Sequence, residues 1–432
     1  MARSVGNICC NNTPSPRRED SPDKIRFVKI NRNKCKQCGS CARICPTGAI
    51  TVPGGSNQTA PDPARCINCA QCLIACPFSA IEETVSDLDL LEKYLADPSI
   101  YTVAIVAPST PAGFAASYRV RNTDKFRERV VGSLRTLGFN HVWNNTHGAD
   151  LAIIEESHKV MTGHDALSSS PTIFTSSCPG WIKFARTFRP DLAPNISGTK
   201  PPISILGARA KDGTLDIGNS RRIITIAIMP CVAKKYERLL PENSSDGTPD
   251  IDITVTTREI IRLMRARGIN PVAHRGSPFD SIPGIDCRAQ SHFKSSGSVA
   301  GGIIHRLSRN GFIAPARTRI GKKITSTTIH SKNRATRDIT IIEIHGVENI
   351  AGEIGKRRRD ATASEIIEVM ACHGGCRYGG GQPVSHGFFA RWFASARQRI
   401  FPFHSPTKPV FVTEETTCPV KTTAIHDDEK TA

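Results

Sequence analysis

The chain has no apolar run near the roughly 20 residues that a membrane-spanning helix requires, so its 432 residues are expected to form a soluble protein. Aromatic residues are scarce, at 6%. A formal net charge of +18 raises the question of nucleic acid, yet no known binding module is present and no basic stripe is interleaved with aromatics. The densest basic runs, residues 356–359 and 322–323, are short. Such a surface is either a solvated face or a dock for an acidic electron-transfer partner. A secretory apolar core is missing too. The first 25 residues are polar, carry Pro14, Pro16 and Pro22, and read as a disordered tail. What the 16 cysteines lack is the scattered spacing of a disulfide framework. They fall in tight groups, which points to metal centres in a reducing compartment.

One pattern occurs twice between about residues 25 and 83. Cys35, Cys38, Cys41 and Cys45, followed by Pro46, form C-x2-C-x2-C-x3-C-P, and Cys66, Cys69, Cys72 and Cys76, followed by Pro77, repeat it. This is the spacing of bacterial two-cluster ferredoxins, in which the fourth cysteine of each run binds the other run's cluster. One 4Fe–4S cluster is therefore expected on Cys35, Cys38, Cys41 and Cys76, and the other on Cys66, Cys69, Cys72 and Cys45. Zinc is the competing occupant of a four-cysteine set. Short strands are expected at 48–52 and 79–81. Two such clusters conduct electrons, so something downstream must use or supply them.

Residues 84–99 read as a helical linker with Leu88, Leu90, Leu91 and Leu95 on one side. The pattern then becomes alternating strand and helix. A buried-strand run at 101–106 ends in Ala107-Pro108-Ser109. Phe126, Val130, Leu134 and Leu137 mark a helix that stops at Gly138, and another helix runs from about Asp150. A strand at 171–174 delivers Thr175-Ser-Ser-Cys-Pro-Gly-Trp181, and one at 222–228 delivers Met229-Pro-Cys-Val-Ala-Lys-Lys-Tyr-Glu237. Thr256 and Glu259 form a capping box for a helix that stops at Gly268. A further strand lies at 339–344. Ile366, Ile367 and Val369 then lead into Glu368-Val-Met-Ala-Cys-His-Gly-Gly-Cys-Arg-Tyr-Gly-Gly-Gly-Gln-Pro383, where Cys372 and Cys376 lie among five glycines.

Cys178, Cys231 and Cys372 thus each sit just past the C-terminal end of an expected parallel strand, where open α/β sheets bind their ligands. Taken singly, Cys178 or Cys231 could be a buried structural thiol. With Cys376 they make four thiolates, enough for one cubane cluster. Cys9, Cys10, Cys287 and Cys418 have no such context.

At these three cysteine motifs the chain resembles the iron-only, or [FeFe], hydrogenases. The match runs from about residue 25 to 383, and the order of parts resembles the large subunit of the two-subunit forms of sulfate reducers. The resemblance implies an α/β fold: an N-terminal ferredoxin-like domain at 26–84, then a two-lobed catalytic domain at 85–395 with parallel sheets holding the cluster between the lobes, and a tail at 396–432. It implies a six-iron H-cluster. Cys178, Cys231, Cys372 and Cys376 would hold a 4Fe–4S cube, and Cys376 would bridge to a two-iron unit carrying CO, cyanide and a dithiolate. Lys234 and Ser109 would lie near the cyanides. Met229, Met370, Ala107 and Pro108 would line the pocket, and Glu237 belongs to the second motif. The reaction implied is reversible reduction of protons to H2. The partners implied are a ferredoxin or other acidic carrier, maturation proteins that supply the diiron unit, and room for a separate small subunit, with neither nucleic acid nor a membrane span. The setting implied is an anaerobic cytoplasm or a hydrogenosome-like organelle.

Ser177 stands where the family has a proton-relaying cysteine, and an alcohol is far less acidic than a thiol near pKa 8.5. Glu156 and Ser197 align with relay members, while a second relay glutamate aligns with Lys159. Ser177 therefore implies a slow or sensory form. The alternative is a non-catalytic relative of the narf-like iron–sulfur assembly factors.

Overall fold

The computed structural model describes residues 21–50, 60–162, 172–215, 217, 221–285, 298–313, 318–321, 323–331, 338–350 and 364–384. Cys9, Cys10, Cys287, Cys418, Lys322, the basic run 356–359 and the expected tail 396–432 lie outside them. Residues 1–385 cluster as one unit and 386–432 as a second; only the first contains described residues.

In the ferredoxin-like part, β1 (Val28–Ile30) pairs antiparallel with β2 (Ile81–Glu83), Val28 opposite Glu83. The helices α1 (Ser40–Ile44) and α2 (Gln71–Ala75) each follow the second cysteine of a run. This differs from the expected strands. Residues 48–50 are not in a strand, and 51–59 lie outside the described residues. The strand after the second run begins at Ile81 and finds its partner ahead of the first run, because Phe27, Val28 and Ile81 bury their side chains together. The end of the expected tail is ordered. Pro22–Lys24 form a 3-10 turn, and Asp23 reaches Lys183 at 3.6 Å and the Tyr236 hydroxyl at 3.1 Å.

The linker helix α3 (Leu88–Ala96) buries Leu88 and Leu91. Next come β3 (Ile100–Val106), α4 (Thr110–Tyr118), α5 (Thr123–Leu137), β4 (His141–Asn144), α6 (Thr146–Thr162), β5 (Thr172–Phe174), α7 (Pro179–Phe188), α8 (Pro202–Lys211), β6 (Arg222–Met229) and α9 (Ala233–Glu237). A small hairpin of β7 (Ser244–Ser245) and β8 (Thr248–Pro249) precedes β9 (Ile253–Thr256) and α10 (Thr257–Ala266). Then follow α11 (Ala300–Arg309), β10 (Phe312–Ile313), β11 (Thr318–Gly321), β12 (Ile324–Ser331), β13 (Ile339–His345) and β14 (Ser364–Met370). The capping box on α10 is present, with the Thr256 side chain taking the Glu259 N–H and the Glu259 carboxylate taking the Thr256 N–H.

Two sheets carry the site. One has the order β4-β3-β6-β9, with every pairing parallel. Successive side chains of a strand point to opposite faces, so Ala104, Val106, Ile226 and Ile228 join one apolar core while Val103, Ile105, Ala227 and Met229 join another. Burial on both faces is why these strands read as unbroken apolar runs. The second sheet runs β10-β12-β13-β14-β5. Its β13, β14 and β5 are parallel, but β12 is antiparallel to β13. The expected parallel sheet is thus mixed. The connection 332–338 between β12 and β13 is too short for the dozen or more residues of a crossover, so a reversal is the geometry available. The ferredoxin-like part shares a core with the α/β part: Phe27, Leu73 and Ile81 pack with Val232, Tyr236 and Leu239 around α9.

Candidate metal centre

The twelve cysteines of the expected ligand sets are all free thiols. A cavity of about 270 Å³ is lined by Cys35, Cys38 and Cys41 of the first run together with Cys76 of the second. The other set is crossed in the same sense. Cys45 of the first run lies in the electrostatic field of Cys66, Cys69 and Cys72. Burial pushes the thiols of Cys41, Cys66, Cys69 and Cys72 upward, whereas the exposed Cys38 is held down first by its hydrogen bond to Ser40. Among the described residues no three His, Cys, Asp or Glu side chains converge closely enough to hold one ion. Zinc needs its sulfurs within about 2.3 Å of a single point. A cubane takes its ligands around a volume, and the four-thiol cavity fits that group.

The third set is built by strand ends. Cys178 caps α7 four residues beyond β5, Cys231 follows β6 by two residues, and Cys372 follows β14 by two. Cys376 opens a 3-10 turn, Cys376–Tyr378. The thiols of Cys178, Cys231 and Cys376 each bear on that of Cys372. Burial pushes Cys231 and Cys376 up to about 12, and the neighbouring Lys234 ammonium pulls against it. Two glycines make the close approach that a large group needs. A Cβ on Gly381 would come within 2.8 Å of the Cys231 nitrogen, and one on Gly380 would collide with the Cys69 carbonyl oxygen. The second ferredoxin run therefore abuts the glycine loop itself. Four thiols, Cys372 buried and the other three partly so, with one cation and this pressed-in loop, suit an anionic iron–sulfur cube.

Lys234 is partly buried, with two of its ammonium hydrogens on Glu237 at 2.7 and 2.8 Å and one on the Ser177 carbonyl at 3.1 Å. Burial raises the Glu237 carboxyl and Lys234 lowers it. Met229, Met370, Ala107 and Ser109 are buried at the ends of β6, β14 and β3, with Pro108 partly so. Ala107 is tied to β6 by its N–H to Ile228 O at 3.1 Å. Ser177 is half-buried beside Cys178.

Glu156 and Ser197 lie behind this loop. Glu156 is 3% exposed, and burial raises its carboxyl to about 7, with Ser197, Lys159 and Thr199 opposing that rise and Glu155 adding to it. The Ser197 hydroxyl donates to Thr199 Oγ1 at 3.2 Å, and Thr199 donates to Glu155 Oε1 at 2.9 Å. Lys159 donates to the same threonine oxygen at 2.9 Å and pairs with Glu155 at 3.1 Å. The link to the first cysteine motif is the Ser176 hydroxyl, which donates to the Thr199 carbonyl.

Residues 100–380 match the family described as "Iron only hydrogenase large subunit, C-terminal domain", and residues 9–80 match "4Fe-4S dicluster domain". The chain belongs to the iron-only hydrogenase large-subunit family. It is 34% identical over 409 residues to the periplasmic [Fe] hydrogenase large subunit of Nitratidesulfovibrio vulgaris, covering 90% of this chain and 95% of that one. Cytosolic iron-sulfur assembly component 3 of Mus musculus is also similar, at 24% identity over 379 residues, 83% of this chain and 73% of that one. Among solved structures, a variant of [FeFe]-hydrogenase HydA1 from Chlamydomonas reinhardtii superposes with a TM-score of 0.60 at 22% identity, over 73% of this chain and 88% of that one, a likeness of fold. As expected for this family, the fold joins a ferredoxin domain to an α/β domain. No helix among the described residues is long and apolar enough to cross a membrane.

The contacts of three residues around the family's cysteine motifs escaped the sequence reading. Gln382 donates to Ser109 O at 3.1 Å, joining the glycine loop to the end of β3. Arg258 donates to Gln382 O at 2.6 Å and Gly380 O at 2.8 Å and also pairs with Glu83 of β2. Gln71 donates to Cys372 Sγ at 3.3 Å. Gln71 and Arg258 stand at the starts of α2 and α10 and Gln382 in the glycine loop, where no periodic signal marks a partner, so only the fold reveals these contacts.

Proposed function

We propose that the chain is an iron-only hydrogenase that catalyses 2H⁺ + 2e⁻ ⇌ H2, with electrons passed through two 4Fe–4S clusters to an acidic ferredoxin-like carrier. The observation that supports this reading most is the convergence of four thiols, buried or partly buried, from three strand ends against the second ferredoxin run. On this reading residues 26–84 conduct electrons and 85–395 hold the catalytic group, in an anaerobic cytoplasm. Bound there, the H-cluster supplies the redox chemistry that makes and splits H2. Cys178, Cys231, Cys372 and Cys376 would hold its cube, with Cys376 also bridging to the diiron unit supplied by maturation proteins. Met229, Met370, Ala107 and Pro108 would exclude water around that unit. Lys234 and Ser109 would offer it donors, and Glu237 keeps the lysine charged. Glu156, Ser197, Thr199 and Glu155 would carry protons between the pocket and solvent.

Infrared spectroscopy of the protein matured with the diiron unit tests this. CO and cyanide stretching bands are the expected result. A protein that binds three cubanes but shows no such bands would belong instead with the assembly factors, to which it is also similar.

The docking face follows from the asymmetry of the two runs. Residues 24–50 contain lysine and arginine but no acidic residue. Around the exposed Cys38 stand exposed Arg32, Lys36 and Arg43, and Phe78 is 44% exposed on the same cavity. The second run is turned inward instead, with Cys72 and Cys76 buried. An acidic carrier would meet the first run's cluster there. Its electron-transfer rate with this protein should fall at least tenfold between about 50 and 500 mM salt, as long-range attraction is screened. A rate indifferent to salt would rule this face out.

A further inference from the structure

Gln71 is the side chain through which the second ferredoxin run makes hydrogen bonds to the Cys372 loop. It lies between Cys69 and Cys72, at the first position of α2, directly after Ala70 in a left-handed conformation (φ 51°). Its amide nitrogen reaches Cys372 Sγ at 3.3 Å and the Tyr378 carbonyl oxygen at 2.9 Å. A backbone carbonyl can only accept, so the Tyr378 contact fixes which end of the amide faces the loop. The two hydrogens of that nitrogen are therefore committed to one loop, one to its sulfur and one to its backbone. Gly380 pressing on Cys69 and Ala70 holds the two segments in contact. Cys372 is buried, so little solvent competes for its sulfur.

From this geometry we infer that Gln71 sets the reduction potential of the cube held by Cys178, Cys231, Cys372 and Cys376. Reduction adds negative charge that spreads onto the cysteine sulfurs. An N–H aimed at one of them stabilises the reduced form more than the oxidised form, and hydrogen bonds to the sulfurs are an established lever on cluster potential. The donor comes from the neighbouring cluster's own binding run, so one side chain couples the electron-delivering segment to the receiving cube. Raising the cube's potential makes the transfer toward it more favourable. The inference rests on the ligand set proposed above, but not on the diiron unit.

The test uses full-length protein carrying its three cubanes without the diiron unit, titrated reductively and followed by electron paramagnetic resonance. Gln71→Leu and Gln71→Met keep the volume and remove the donor. In both, the reduction equilibrium of the cube should shift at least tenfold toward the oxidised form, 59 mV for one electron. The two ferredoxin clusters should keep their potentials. A cube potential unchanged in both variants overturns the inference. So does loss of the cube's iron in both, which would make Gln71 a brace and not a tuning donor. Wild-type protein that binds only two cubanes removes the ligand set, and this inference with it. Infrared bands from matured protein judge the hydrogenase reading separately.

Discussion

Cys76→Ala should cost the protein the cluster of the first run, not that of its own run. Wild-type protein with three cubanes should contain about twelve irons, four per cube. The variant should contain about eight. Which four are lost is decided by double variants. Cys38→Ala combined with Cys76→Ala removes two ligands of one crossed cube and should also leave about eight irons. Cys38→Ala combined with Cys45→Ala strikes both crossed cubes and should leave about four. If each run bound its own cluster, these two results would be exchanged. The crossed pattern follows from the cavity that joins Cys76 to Cys35, Cys38 and Cys41, and from the proximity of Cys45 to Cys66 and Cys69. Cys76 is buried in the core shared with α9, so alanine there also removes apolar contacts. Retention of the other eight irons is the control that the fold survives.

The strands around the site were legible where burial on both faces left no polar alternation, as in β3 and β6. Their C-terminal ends then located Cys231 and, with β5 and β14, Cys178 and Cys372, because cofactor-binding loops of parallel sheets gather at that end. Other elements left weaker traces. The helix α4 is apolar nearly all round and holds Gly113, where a Cβ would collide with Gln382, so it has no amphipathic period to read. The strand β4 has only four residues. The reversal at β12 depends on the length of a connection and not on composition. Within the site, the spacing of the two runs and the three strand ends pointed to the cysteines that the fold brings near one another. The commitment of Lys234 to Glu237 and Ser177, the reach of Gln71 and the clamp of Arg258 were not, since each depends on how separate loops meet. The proposed relay shows the same limit. Lys159 was visible as a departure, but the fold brings Glu155 and Lys159 together on Thr199.

Glu156→Gln should lower H2 evolution about a hundredfold, the lower end of what removing a positioned proton donor costs, while Ser177→Cys should raise it at least tenfold. Glu156 is nearly fully buried, with its carboxyl raised to about 7 mainly by desolvation. Below that pH it holds a proton to give; above it, the group is ionised. Proton reduction should therefore decline as pH rises through about 7, and the variant with glutamine should lack that limb. The stability linkage has the same sign. A carboxyl raised from an unfolded value of 4.5 to about 7 contributes stability in full below 4.5 and loses it as pH rises through 7. At about 1.36 kcal/mol per unit the loss is about 3 kcal/mol, measurable as a fall in wild-type unfolding free energy that Glu156→Gln does not share. Ser177 probes the inner end of the route. It stands beside Cys178, its carbonyl held by Lys234, and a thiol there would exchange protons at neutral pH where the alcohol does not. A gain from Ser177→Cys that vanishes when Glu156→Gln is added would place both residues on one path. Equal gains in both backgrounds would mean that protons reach Ser177 by another way, and the Glu156–Ser197–Thr199 chain would then be structural.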